Sequence, residues 1–118
     1  MEKTILIIDD DSAILDMLDM ALSQNFNVQL IGNPEQLALH LANYLPDLFL
    51  IDFGLPYKNG FIVCKELKED ERTKNIPVIL FSANRISEIM LRESHCDGYI
   101  QKPFDLWQLE LVLKKHLG

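Results

Sequence analysis

The chain has 118 residues, 48% of them apolar, which is enough for one compact core and excludes a disordered segment. Eleven Lys and Arg against eighteen Asp and Glu leave a net charge of −7, which argues against a surface built to hold phosphate backbones. Unbroken apolar runs stop at four residues, as in Leu48 to Ile51, too short for a bilayer span or the apolar core of a signal peptide.

Thr4 to Ile8 is a short β-branched and apolar run, the length of a buried strand. From Ser12, apolar residues fall at Ile14, Leu15, Leu18 and Leu22, one face of a helix. Asn27 to Ile31 reads as a second strand. Asn33-Pro34-Glu35-Gln36 follows, with an N-cap, a proline at the first helical position and a glutamine placed to reach back. That helix is expected to end near Tyr44, because Pro46 disfavours helical geometry at Leu45.

Asp47 to Ile51 is a third strand, and Phe53 to Gly60 a loop in which Asn59-Gly60 signals a turn. A helix is expected from Phe61 to Asp70. Pro77 to Phe81 is a fourth strand, with proline tolerated at its start. Ile86 to Arg92 reads as a short helix whose Ile86, Ile89 and Met90, at helical spacing, face either the core or a partner. Gly98 to Gln101 is a fifth strand, and Leu106, Leu109, Val112, Leu113 and Leu117 mark a last amphipathic helix. Strands alternating with helices imply a parallel sheet covered on both faces, and the near-continuous apolar strands agree with burial on two sides. No repeat or linker interrupts the chain, so residues 1–118 read as one domain.

Ligands in such folds sit at the carboxyl ends of the strands. Asp9, Asp10 and Asp11 follow the first strand, Asp52 the third, Ser82 the fourth and Lys102 the fifth. The charge distribution is uneven in the same sense: residues 1–52 hold nine acids and one base, and residues 53–118 nine acids and ten bases. Carboxylates converging in one crevice repel, and a hard divalent cation such as Mg²⁺ relieves that repulsion. A lysine and a hydroxyl opposite complete a pocket for a doubly charged oxyanion beside a carboxylate nucleophile, the equipment for phosphoryl transfer onto an aspartate.

These residues resemble the receiver domain of two-component response regulators over essentially the whole chain. Ile7-Ile8-Asp9-Asp10, Leu50-Ile51-Asp52 with Leu55-Pro56 and Asn59-Gly60, Pro77 to Ala83, and Gly98-Tyr99-Ile100-Gln101-Lys102-Pro103-Phe104 stand in the family's order. The resemblance implies a flavodoxin-like, doubly wound α/β fold of five βα units with strand order 2-1-3-4-5. It implies that Asp52 accepts a phosphoryl group from a phosphohistidine on a sensor histidine kinase or histidine phosphotransfer protein. It implies Mg²⁺ bound by Asp10, by Asp9 mainly through water, by Asp52 and by the carbonyl of Gly54. Ser82 would hydrogen-bond the phosphoryl group on Asp52 and Lys102 would pair with it, the Lys102–Pro103 bond would be cis, and Tyr99 would report the state of Ser82 to the surface. The output would be altered affinity for an effector through the fourth helix, fifth strand and last helix, with homodimerisation on phosphorylation, rather than a released product. The protein would thus not be an enzyme beyond its own phosphorylation and dephosphorylation.

The Ser82 to Tyr99 segment is slightly shorter than is usual in the family, so the fourth helix is expected to be truncated or bent. Serine stands at 82 where threonine is commoner, and glycine at 54 where larger side chains are common.

Three other readings compete. An aspartyl phosphatase of the haloacid dehalogenase type would use Asp9 as nucleophile and Asp11 as general acid, but would leave Asp52 without a role. A flavodoxin-type carrier would need a phosphate beside Asp9 to Asp11, which repel it. A pseudo-receiver would keep the fold and never be phosphorylated. His40, His95 and His116 have no ligand spacing, and Cys64 and Cys96 form neither a CxxC pair nor a disulfide framework, which suits a reducing, cytoplasmic setting.

Overall fold

In the computed structural model, which describes residues 2–55 and 58–118, the strands are β1 (Thr4–Ile8), β2 (Asn27–Ile31), β3 (Leu48–Asp52), β4 (Val78–Ser82) and β5 (Gly98–Gln101). They form one parallel sheet in the order β2-β1-β3-β4-β5, as expected. The helices are α1 (Ser12–Leu22), α2 (Leu37–Leu41), α3 (Gly60–Glu69), α4 (Glu88–Ser94) and α5 (Leu106–Leu117).

Successive strand side chains point to opposite faces, and each central strand therefore feeds two cores. Ile5, Ile7, Leu48, Leu50, Ile79 and Phe81 pack with Leu18 and Leu22 of α1 and Leu109 and Leu113 of α5. Leu6, Ile8, Phe49, Ile51, Val78 and Leu80 pack with Leu37 of α2 and with Val63, Cys64 and Leu67 of α3. Burial on both faces is the reason these strands read as unbroken apolar runs. Every residue of β3 and β4 is buried.

The helix caps are local. Asp11, Asn59, Ser87 and Asp105 each accept a backbone N–H of the first turn they precede. The second helix departs from expectation: Pro34–Gln36 is a 3₁₀ turn, and regular α-helix covers only Leu37–Leu41. The Asn33 cap forms as read, accepting from Glu35 N, but the helix ends before Tyr44.

The fourth helix is short, as the short segment predicted, but it begins at Glu88 rather than Ile86. Ser87 caps it, so Ile86 lies before the helix and is buried, whereas Ile89 is 68% exposed and Met90 is at the surface. Of the two readings, the core one holds for Ile86 and is corrected for Ile89 and Met90, which lie at the surface. Among the described residues no helix is long and apolar enough to cross a membrane.

Candidate functional site at the strand ends

Register brings the polar strand ends together. Ile8 pairs with Ile51, so the next residues, Asp9 and Asp52, emerge side by side. Asp52 pairs with Phe81 and Ser82 with Gln101, which carries Ser82 and Lys102 to the same edge. The amide of Lys102 donates to the Ser82 carbonyl at 2.7 Å, and that of Phe53 to the Phe81 carbonyl at 2.8 Å, so the ladder extends into the site.

Asp9, Asp10 and Asp52 each offer a carboxylate oxygen, all within 4.8 Å of one another. Asp9 is 1% exposed and Asp52 7%, while Asp10 faces solvent. The Lys102 ammonium sits between the two buried acids, 3.4 Å from Asp9 Oδ2 and 3.5 Å from Asp52 Oδ1. It also lies 4.6 Å from the centre of the Phe81 ring, whose face attracts the cation. Burial raises the Asp9 carboxyl above its ordinary value of 3.8, and the like charge of Asp52 adds to this; the Asp11 amide and Lys102 oppose it.

Asp11 belongs to the scaffold of the site. Its amide donates to Asp9 Oδ1 at 2.9 Å, and its own carboxylate caps α1 by accepting from Ala13 N at 3.0 Å. A carboxylate held as an N-cap is a poor general acid, which disfavours the phosphatase reading. Gly54 borders the pocket: a β-carbon there would lie 3.8 Å from Asp52 Oδ2, an ordinary contact. Pro56, quoted above with Leu55, lies outside the described residues. The Lys102–Pro103 bond is cis, as the resemblance implied.

Ser82 Oγ accepts the amide of Asn84 at 3.0 Å, and the Tyr99 hydroxyl donates to the Asn84 carbonyl at 3.1 Å. One peptide segment thus links the two residues assigned to switching. Sequence reasoning had no signal for Asn84, whose side chain takes no part. In sequence, Asn59-Gly60 carries a turn signal and part of the family resemblance, but no sign of a cap. Asn59 is the cap of α3, and a β-carbon on Gly60 would lie 2.6 Å from the Asp52 carbonyl oxygen and 2.8 Å from Phe53 Cα. Beside Lys102, an apolar cleft of about 420 Å³ is lined by Ile14, Met17, Ala83, Pro103 and Phe104.

A doubly wound parallel sheet with an acid-rich pocket and one lysine at its carboxyl edge defines the class of protein. The family model of the response regulator receiver domain matches residues 5–114, and the chain belongs to that family. It is 40% identical over 111 residues to the DNA-binding dual master transcriptional regulator RpaA of Synechocystis sp., covering 89% of this chain and 45% of RpaA. It is 36% identical over 115 residues to the phosphate regulon transcriptional regulatory protein PhoB of Pseudomonas aeruginosa, covering 95% of this chain and 50% of PhoB. The chain therefore spans about half the length of the curated relatives it matches. Among solved structures, a CheY-like response regulator receiver domain protein from Methanospirillum hungatei superposes with a TM-score of 0.90 at 25% identity, covering 99% of this chain and 94% of that one. The chain is a receiver domain of two-component signal transduction.

Proposed function

We propose that Asp52 is the phosphoacceptor. The observation that carries this is the position of the Lys102 ammonium, shared between Asp52 Oδ1 and Asp9 Oδ2 at the end of the sheet. A carboxylate oxygen of Asp52 attacks the phosphorus of a phosphohistidine on a sensor histidine kinase or phosphotransfer protein. The P–N bond breaks, and the imidazole leaves and takes up a proton. Lys102 then moves from the carboxylate pair toward the new phosphoryl oxygens, and the Ser82 hydroxyl turns to donate to them.

The donor set fits Mg²⁺: Asp9, Asp10 and Asp52 are hard oxygen ligands, and among the described residues one lysine, Lys102, balances the buried pair. The Gly54 carbonyl is assigned as a further ligand. When bound, the ion supplies charge neutralisation for the converging carboxylates and the incoming phosphoryl group.

When Ser82 Oγ turns to the phosphoryl group it gives up the Asn84 amide, which frees the loop that holds the Tyr99 hydroxyl. Tyr99 then relays the change to α4, β5 and α5, where an effector or a second receiver docks. The protein acts in the cytoplasm, residues 1–118 work as one unit, and its chemistry is confined to its own phosphorylation and dephosphorylation. On the acidic balance of the chain, these residues make no direct contact with nucleic acid.

The test is incubation with acetyl phosphate with and without Mg²⁺, followed by mass spectrometry of the labelled peptide. One phosphoryl group on Asp52, absent without Mg²⁺ and absent in Asp52→Asn, supports the assignment. Stoichiometric labelling of Asp9 in the Asp52→Asn protein overturns it in favour of the phosphatase reading.

A further inference from the structure

The two cysteines, far apart in sequence, meet at the end of α4. The Cys64 thiol, on α3, donates to the Ser94 carbonyl at 3.3 Å. The Cys96 thiol, just past α4, donates to the Leu91 carbonyl at 3.7 Å. Those carbonyls are three residues apart, so their separation along the helix is about 4.5 Å. Ser94 completes the cluster: its hydroxyl donates to the Leu91 carbonyl at 2.6 Å and accepts the Cys96 amide at 3.1 Å. Both thiols belong to the same apolar cluster, Cys64 fully buried within it and Cys96 half-buried against it.

The thiols differ in what they can do. Burial, with Cys96 close by, pushes Cys64 up to about 12, so it stays protonated and inert to alkylation or oxidation on its own. Cys96 is the one that solvent reaches. An oxidised Cys96 sulfur would have Cys64 as a neighbouring thiol in the same cluster.

We propose that Cys64 and Cys96 are a peroxide-sensitive thiol pair, which closes to an intramolecular disulfide that staples the end of α4 to α3. The Cys96 thiolate attacks a hydroperoxide; the O–O bond breaks, hydroxide (from hydrogen peroxide) leaves, and sulfur is oxidised to the sulfenic acid. The Cys64 sulfur then attacks the sulfenic sulfur, the S–O bond breaks, and the Cys64 proton leaves with that oxygen as water. Overall two thiols and one hydrogen peroxide give a disulfide and two waters. The product exchanges two weak S–H donors for a covalent brace between α3 and the chain just past α4.

The test titrates the whole chain with hydrogen peroxide and maps its cysteines without reduction, followed by amide hydrogen exchange over 88–94. A Cys64–Cys96 cross-linked peptide in monomeric protein, reversed by dithiothreitol, with slower exchange in α4, is the expected result. Cys96→Ser should abolish the cross-link and leave Cys64 reduced; Cys64→Ser should let Cys96 run on to sulfinic acid. Irreversible oxidation of Cys96 with Cys64 still free in the unsubstituted protein, only intermolecular dimers, or a bridge that leaves α4 exchange unchanged would each overturn the proposal. None of these readouts depends on phosphorylation of Asp52.

Discussion

Gly60 packs against Asp52 so closely that the first residue of α3 has no room for a side chain. An added β-carbon would lie 2.6 Å from the Asp52 carbonyl oxygen and 3.1 Å from its carbonyl carbon. The atoms in the way are backbone, in a fully buried strand, so they cannot rotate aside. Gly60→Ala is expected to destabilise the protein by about 1–3 kcal/mol, the usual cost of overpacking, and to displace the Asp52 carboxylate. Urea unfolding together with acetyl phosphate labelling checks this; a variant of unchanged stability and labelling would show that the contact is soft.

Lys102 neutralises two buried acids from the far end of the chain. Lys102→Met keeps the stem and removes the charge. Loss of one partner leaves the buried carboxylates uncompensated, so the Mg²⁺-free protein is expected to lose stability. In the same variant, stabilisation by Mg²⁺ should persist or grow, while labelling at Asp52 falls by roughly two orders of magnitude. Melting curves with and without Mg²⁺, beside labelling rates, separate the two effects.

The raised pKa of Asp9 fixes the sign of a pH effect. The folded chain holds the Asp9 proton to a higher pH than the unfolded chain, whose carboxyl titrates near 3.8. Its contribution is therefore fully present below pH 3.8 and is lost as pH rises through the folded-state value. Without Mg²⁺, Asp9→Asn should gain stability relative to the unsubstituted protein as pH rises from 3.8 toward neutrality. Paired urea titrations at several pH values test this, and a difference that runs the other way would mean that the Asp11 amide and Lys102 outweigh burial.

His95 ends α4 in the left-handed region, with φ of 61°. A β-carbon is disfavoured there and glycine is not. His95→Gly is expected to stabilise the fold by up to about 1 kcal/mol, and His95→Ala to fall short of that gain. The midpoints of urea unfolding for the two variants decide it.

The Ser82–Asn84–Tyr99 chain should be visible in spectra. Tyr99→Phe removes the donor to the Asn84 carbonyl and leaves Asp52, Lys102 and Asp9 untouched. Beryllofluoride binding should be preserved, with altered amide chemical shifts at Ser82 to Arg85 in the free protein. Unchanged shifts in that loop would remove Tyr99 from the relay.

What the residues determine unaided is whatever depends on near neighbours or on a burial pattern. All five strands are legible in sequence, and β1, β3 and β4 most plainly, because a strand buried on both faces carries no polar residue until it emerges, and the emerging residue is then a candidate for the site. Asp9 and Ser82 were visible for that reason, at or just past the ends of β1 and β4. The cap at Asn33 is legible because it is a contact between residues two apart in the chain. The tertiary structure alone decided which distant groups touch. It placed the Lys102 ammonium between Asp9 and Asp52, pressed Gly60 onto the Asp52 backbone, and brought Cys64 to the turn that ends in Cys96. Such outcomes depend on register between strands far apart in the chain and on space left by packing, and neither is encoded in the spacing of any single segment.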